Sequence, residues 1–245
     1  MMKKNSERNA AIRFMKKLFI LFIPFIALLA VYFLDDPFMV LKNYERYDQT
    51  PVVLNEGHVG WQMYLNNRDT IPIDSYIMGN SCTMAYQCHE WEKYLHGGRA
   101  VRLFGNAESL AAVCLKLKAL DKAGATIKNL LLIIDKESLH NDRCLTGHSN
   151  ILPPAISGIS NFKFYPNFLL PYLDYKLFHT YRPYMKGVIN PYGSTRNPVT
   201  NDVLNPREEM IKEEGDKYWE NRKGEFTKEK MKNYRDGKYR EAPQV

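Results

Sequence analysis

The fold of this chain is decided by the stretch IDSYIMGNSCT, residues 73–83. A β-prone run ends at Gly79, and Ser81 stands where the chain turns into a helical pattern. In open α/β sheets ligands bind outside the carboxyl ends of the strands, and free N–H groups at a helix start can hold an oxyanion. The pattern therefore makes Ser81 a candidate nucleophile. Asn80 or Ser81 capping a helix is the alternative that this short motif leaves open.

Strand-like and helix-like patterns alternate around this stretch. The predicted elements are the strand Asp74–Met78, the helix Thr83–Leu95, the strand Ala100–Phe104, the helix Glu108–Ala123 and the strand Lys128–Ile134. Such alternation is typical of βαβαβ units with a parallel sheet, since parallel strands need crossover connections. We expect Ser81, Gly105-Asn106 and the stretch from Asp135 to His148 to gather at one edge of that sheet, because each follows a strand.

The N-terminal segment has the pattern of a membrane anchor. Residues 18–34, LFILFIPFIALLAVYFL, carry no charge and follow a basic segment. A cleaved signal peptide is the alternative, but the apolar run is long for one, and Ala27 and Ala30 have the wrong spacing for its cleavage site. We therefore expect an uncleaved single-pass anchor in the cell membrane, with a cytoplasmic N-terminus and an extracytoplasmic main domain.

The domain organisation follows from these patterns. We predict a cytoplasmic basic segment (1–17), a transmembrane anchor (18–36), a juxtamembrane stalk (37–70) and an α/β domain (71–245) with an insertion at about 140–205. The net charge of +7 comes mostly from the basic segment, so it indicates membrane topology and not nucleic-acid binding.

The aromatic stretch 162–186, FKFYPNFLLPYLDYKLFHTYRPYMK, allows three interpretations. It is a helical subdomain over the sheet, a surface for the membrane interface or a membrane partner, or ordinary core. The four cysteines show no zinc-ligand spacing, and we expect no metal and no cofactor. Cys82 and Cys114 fall in segments predicted to pack in the core, and a disulfide with Cys88 or Cys144 stays open.

These motifs resemble the SGNH (GDSL) hydrolases. The match rests on the turn Gly79-Asn80-Ser81, on Gly105-Asn106 after the second strand and on Asp135 after the third. With a leading anchor, the chain is similar to the alginate O-acetylation factors and the D-alanine transfer proteins of bacteria. The resemblance implies an incomplete three-layer α/β fold, with Ser81 as nucleophile and Gly105 as oxyanion donor. It also implies a membrane-bound O-acyltransferase as partner and a cell-surface or exported glycan as substrate.

The chain departs from this family where the general base is concerned. It contains no Asp-x-x-His motif, and Asp135 stands where the family has Gly-x-Asn-Asp. A serine without a base is a poor nucleophile. Three accounts follow: the chain is a fragment, it has lost catalysis, or His140 or His148 substitutes as the base, with Asp135 or Asp142 to orient it. The corresponding functions are a serine O-acyltransferase or esterase, or a non-catalytic module that docks on a membrane acyltransferase.

Overall fold

The computed structural model describes residues 2–47, 51–140, 143–178, 195–204 and 206–221. The α-helices of these residues are, in chain order, α1 (Met2–Asp35), α2 (Glu56–Asn67), α3 (Cys88–Glu92), α4 (Leu110–Lys122), α5 (Lys136–His140), α6 (Pro154–Ser157), α7 (Asn161–Phe164), α8 (Leu169–Leu173), α9 (Pro206–Glu214) and α10 (Asp216–Asn221). The strands are β1 (Ile73–Gly79), β2 (Arg99–Phe104), β3 (Asn129–Ile133), β4 (Thr195–Arg196) and β5 (Val203–Leu204).

The predicted α/β fold with a parallel sheet is confirmed. Three strands lie in the order β2-β1-β3, and both pairings are parallel. All seven residues of β1 are buried, as expected of the central strand of a sheet with crossover helices. The carboxyl ends of the three strands therefore share one edge.

The main core lies on one face of this sheet. Tyr76 and Met78 of β1 pack in the same cluster as Val113 and Leu120 of α4. The opposite face holds a smaller cluster, in which Ile77 packs with other buried residues and the half-buried Trp91 and Leu131. The site edge is thus supported mainly from the α4 side.

The predicted helix Thr83–Leu95 is wrong. The structure has a 3₁₀ helix at Ser81–Ala85 and the short α3, with a break at Tyr86 and Gln87. Partners outside the segment fix this break, because the Arg102 guanidinium donates to the Tyr86 carbonyl and the Asp202 carboxylate accepts from the Cys88 N–H at 3.1 Å. These contacts are distant in sequence, so the local pattern could not show them.

The expected burial of Cys82 and Cys114 is also wrong. Both side chains are exposed, whereas Cys88 is buried, and all four cysteines are free thiols. Cys114 lies on the outer face of α4, and Cys82 lies in the 3₁₀ helix at the edge of the sheet.

The juxtamembrane segment 37–70 contains a helix that packs in the core. Helix α2 is buried along most of its length, with Trp61 and Tyr64 in the main cluster. The Asn55 side chain caps it by accepting from the His58 N–H at 2.8 Å. Trp61 and Tyr64 are three residues apart, so both lie on the face of the helix that packs in this cluster.

The β4–β5 hairpin covers the outer edge of β2. The Arg102 N–H donates to the Thr200 carbonyl at 2.9 Å, and the Asn201 side chain donates to the Arg102 carbonyl at 2.9 Å. The Arg102 guanidinium, which is fully buried, pairs with Asp202 at 2.6 Å. Covering an edge in this way protects it from pairing with other chains.

One helix among the described residues is long and apolar enough to cross a membrane. It is the 25-residue part of α1 from Ala11 to Asp35, of which almost nothing is buried against the rest of the protein. Signal sequences have the same character.

Candidate functional site

The turn after β1 depends on Gly79. Its φ is +136°, a region that side chains rarely adopt, and an added Cβ would lie 2.2 Å from the Ile133 carbonyl oxygen. A glycine is therefore required for the backbone of β1 to approach the end of β3. This approach brings the two following turns together.

Asn80 connects those two turns. Its side-chain oxygen accepts from the Cys82 N–H at 2.9 Å, while its amide donates to Asp135 Oδ2 at 2.6 Å and to Ser138 Oγ at 3.2 Å. The Ser138 N–H and hydroxyl both donate to Asp135 Oδ1, at 2.8 and 2.7 Å. The Asn80 capping predicted as one alternative is thus present, together with a bridge to α5 that the sequence did not indicate.

Ser81 follows at the start of the 3₁₀ helix and is half-buried. Neither its hydroxyl nor its N–H has a hydrogen-bond partner among the residues that the structure describes. Both groups are therefore available to a ligand at the strand edge, and the adjoining Cys82 is exposed. Free N–H groups at such a turn are the donors that an acyl oxyanion needs.

Gly105 does not offer its N–H in the same way. That group donates to the Gly79 carbonyl at 3.2 Å, which continues the β1–β2 pairing by one step. Its Cα is also crowded, since an added Cβ would lie 3.0 Å from Glu108 Oε1. An oxyanion role for Gly105 requires this hydrogen bond to open.

A buried ion pair lies behind Gly105. Lys116 Nζ is 2.5 Å from Glu108 Oε1 and donates to the Leu103 carbonyl at 3.0 Å. Burial raises the pKa of the Glu108 carboxyl. The adjoining cavity of about 10 Å³ has room for one water molecule. This arrangement supports the end of β2 and does not include Ser81.

The two candidate bases differ in position. His140 is the last residue of α5, the helix whose Ser138 contacts Asn80, although its side chain lies outside the described part of the chain. The His148 ring packs against Phe38 and Phe168, with centroids 5.5 and 6.5 Å apart, and burial lowers its pKa. Asp142, suggested as a partner for either histidine, lies outside the described residues.

Asp135 occupies the expected edge but has another partner. It was suggested as an orienter of a histidine, and the structure shows it bound to Asn80 and Ser138. Within the described ranges there is no cluster of three or more histidine, cysteine, aspartate or glutamate side chains suited to a metal ion. The site is therefore built of a serine, an amide and a carboxylate.

Comparison with known proteins gives no relative: no family model, no curated protein and no solved structure matches this chain.

Proposed function

We propose that this protein is a membrane-anchored SGNH-like module that assists O-acyl transfer to or from a cell-surface or exported glycan, with Ser81 as the nucleophile. The observation that supports it is the position of Ser81. This residue follows the carboxyl end of the central parallel strand, in a turn joined through Asn80 to the turn after β3. Such an edge is where α/β enzymes of this kind hold their reacting groups.

The proposed chemistry is acyl transfer in two steps. Ser81 Oγ attacks the carbonyl carbon of an acyl donor, its proton passes to a base, and the donor alcohol leaves with that proton. A glycan hydroxyl then attacks the acyl-serine, its proton passes through the same base to Ser81 Oγ, and the bond between Oγ and the acyl carbon breaks, which restores the free hydroxyl. The Ser81 N–H would stabilise the oxyanion of each tetrahedral intermediate. The acyl ester would be delivered by a membrane-bound O-acyltransferase whose active site faces the same side.

His140 is the residue we propose as the base. It belongs to the helix that is hydrogen-bonded to Asn80, next to Ser81, whereas the His148 ring is engaged in aromatic packing. A positioned base typically contributes about 10²–10⁴-fold to the rate. The two histidines therefore form a matched pair for an experiment.

The test is labelling of the full-length protein in membranes with a fluorophosphonate probe. We expect Ser81→Ala to abolish labelling, His140→Gln to slow it by about 10²-fold or more, and His148→Gln to leave its rate within a few-fold of wild type. Cys82→Ser serves as a control for the adjacent thiol. Equal labelling of Ser81→Ala and wild type would remove Ser81 from this role.

A non-catalytic docking module is the second candidate, and the Gly105 geometry favours it. The N–H that the resemblance assigns to the oxyanion is bound to the Gly79 carbonyl. In that case the protein binds a membrane acyltransferase through the aromatic stretch 162–186, of which residues 179–186 lie outside the described ranges. The expected result is co-purification that survives Ser81→Ala and is lost on deleting 162–178, with no fluorophosphonate labelling.

A further inference from the structure

The last turns of α1 pack against the aromatic helices α7 and α8. Tyr32 of α1 lies 4.8 Å from Tyr172 between ring centroids, and both belong to one buried cluster with Phe164 and Phe168. Leu28, one turn earlier on the same face of α1, packs against this cluster as well. Two turns of the apolar helix are therefore in contact with the domain.

Polar contacts fix this junction at the end of α1. The Asp35 carboxylate is 2.5 Å from Lys176 Nζ and accepts from the Tyr172 hydroxyl at 3.5 Å. The buried Asp36 carboxylate accepts from the Val40 N–H at 3.0 Å and from the Leu41 N–H at 2.9 Å. These contacts fix the position of the aromatic segment relative to the end of α1.

The length of the apolar run fixes the depth of this contact. Residues 18–34 span only about 26 Å as a helix, at ~1.5 Å per residue, whereas a hydrocarbon core is ~30 Å thick. When α1 crosses a bilayer, its apolar run has no turns beyond those that the hydrocarbon core requires. Leu28 and Tyr32 therefore lie within the hydrocarbon core or at its boundary. The helices packed on them share that depth.

The aromatic segment also presents uncovered apolar side chains. Phe162 of α7 is 91% exposed and Leu170 of α8 is 71% exposed, while Phe164, Phe168 and Tyr172 point into the cluster. Lys163 lies exposed beside Phe162. Apolar side chains with a neighbouring lysine are the pattern of helices that lie in the membrane interface.

We propose that residues 161–173 form an interfacial membrane element that inserts Phe162 and Leu170 into the headgroup and acyl boundary of the bilayer crossed by α1. Lipid is the occupant because the apolar side chains of α1 beside the packed Tyr32, among them Phe33 and Leu34, are exposed at the same depth, as is most of the apolar helix. The element seats the domain against the membrane surface and fixes its orientation. This inference rests on the anchor and is independent of any chemistry at Ser81.

The test is depth-dependent quenching of added tryptophans in the full-length protein. Phe162→Trp and Leu170→Trp are reconstituted in vesicles of phosphatidylcholine and phosphatidylglycerol, with or without brominated acyl chains. Tyr94→Trp is the matched control, because Tyr94 is 83% exposed in the turn after α3. The emission of wild type, from Trp61, Trp91 and Trp219, is subtracted.

We expect brominated lipid to remove about half or more of the added emission at positions 162 and 170, and little at position 94, since interfacial helices bury their apolar face ~5–10 Å deep. Resistance to alkaline extraction reports on α1 separately. If the protein resists alkaline extraction from the vesicles but the tryptophans at 162 and 170 are quenched no more than the control, the proposal is wrong. The proposal would also be overturned if positions 162 and 170 became buried only when a second membrane protein was co-expressed, because they would then contact a protein partner and not lipid.

Discussion

Gly79 shows how one residue positions the candidate site. A glycine at position 79 predicts that the strand ends there. The need for glycine, however, comes from β3, over fifty residues away, because an added Cβ would lie 2.2 Å from the Ile133 carbonyl oxygen. Asn80 and Asp135 are likewise separated in sequence and joined at 2.6 Å in space. Ser81 could therefore be singled out from the sequence alone, whereas the bridge beside it could not.

Gly79→Ala should destabilise the protein strongly. Backbone strain costs about 1–3 kcal/mol, and the clash with the Ile133 carbonyl adds to it, so we expect a total loss of at least about 2 kcal/mol in the free energy of unfolding. Gly158→Ala is the control, since Gly158 also has a positive φ, of +71°, but nothing within 4 Å of an added Cβ. Urea unfolding in detergent micelles measures both, and equal losses would contradict the proposed role of the close approach.

His58 should make stability depend on pH. Burial lowers the pKa of its ring to about 4, whereas an unfolded histidine titrates at about 6.5. Between these values the unfolded chain binds the extra proton, so stability is full above pH 6.5 and falls as the pH drops towards 4. The expected loss from this group is about 3 kcal/mol.

The measurement is the free energy of unfolding of wild type and His58→Gln at several pH values between 7 and 4. The variant should lack this part of the pH dependence. His89→Gln is the control, because His89 is an exposed histidine whose pair with Glu90 is open to solvent. Identical profiles for all three proteins would show that His58 is not held neutral by burial.

At the scale of elements, the sequence predicts those parts whose pattern is set locally. The three strands fall within a residue or two of their predicted bounds, because apolar runs between turn residues identify buried strands. The region after β1 was mispredicted, since Asp202 and Arg102 interrupt the helix from outside. Helix α2 was not predicted, although the spacing of three between Trp61 and Tyr64 fits one face of a helix and not one face of a strand.

The Arg102–Asp202 pair should be essential to the cover over β2. Both side chains are buried, Arg102 Nη2 contacts Asp202, and Arg102 Nε and Nη1 have no hydrogen-bond partner among the described residues. Asp202→Asn leaves the guanidinium uncompensated, and breaking a buried pair in this way costs about 3–5 kcal/mol. Thermal unfolding should show this loss, whereas the double variant Arg102→Met with Asp202→Leu should recover much of it.

The control for this experiment is the pair of the exposed Arg99, on the same strand, and the half-buried Glu92, on the neighbouring helix, which are 3.1 Å apart. Arg99→Met should change the free energy of unfolding by only about 0–1 kcal/mol, because solvent screens such pairs. A comparable cost for Asp202→Asn and Arg99→Met would mean that the hairpin is held by its backbone hydrogen bonds alone.

At the scale of the whole molecule, the described residues join an apolar helix to an α/β domain through a segment that packs against both. Residues 51–67 pack in the domain, and the last turns of α1 pack against α8. A sequence pattern can identify an anchor and a sheet, but the contact between them depends on tertiary packing of aromatic residues whose periodicity prolines interrupt. The domain is therefore held close to the end of α1.

The side of the membrane on which the domain lies can be tested with the chain's own thiols. Cys82 and Cys114 are exposed on the domain, whereas Cys88 is buried, so an impermeant maleimide reports where the domain is. The basic segment before the anchor predicts an extracytoplasmic domain. We expect intact spheroplasts to be labelled fully, with labelling reduced by Cys82→Ser and by Cys114→Ser and nearly lost in the double variant. Labelling that requires lysis would place the domain in the cytoplasm and rule out a cell-surface glycan as its substrate.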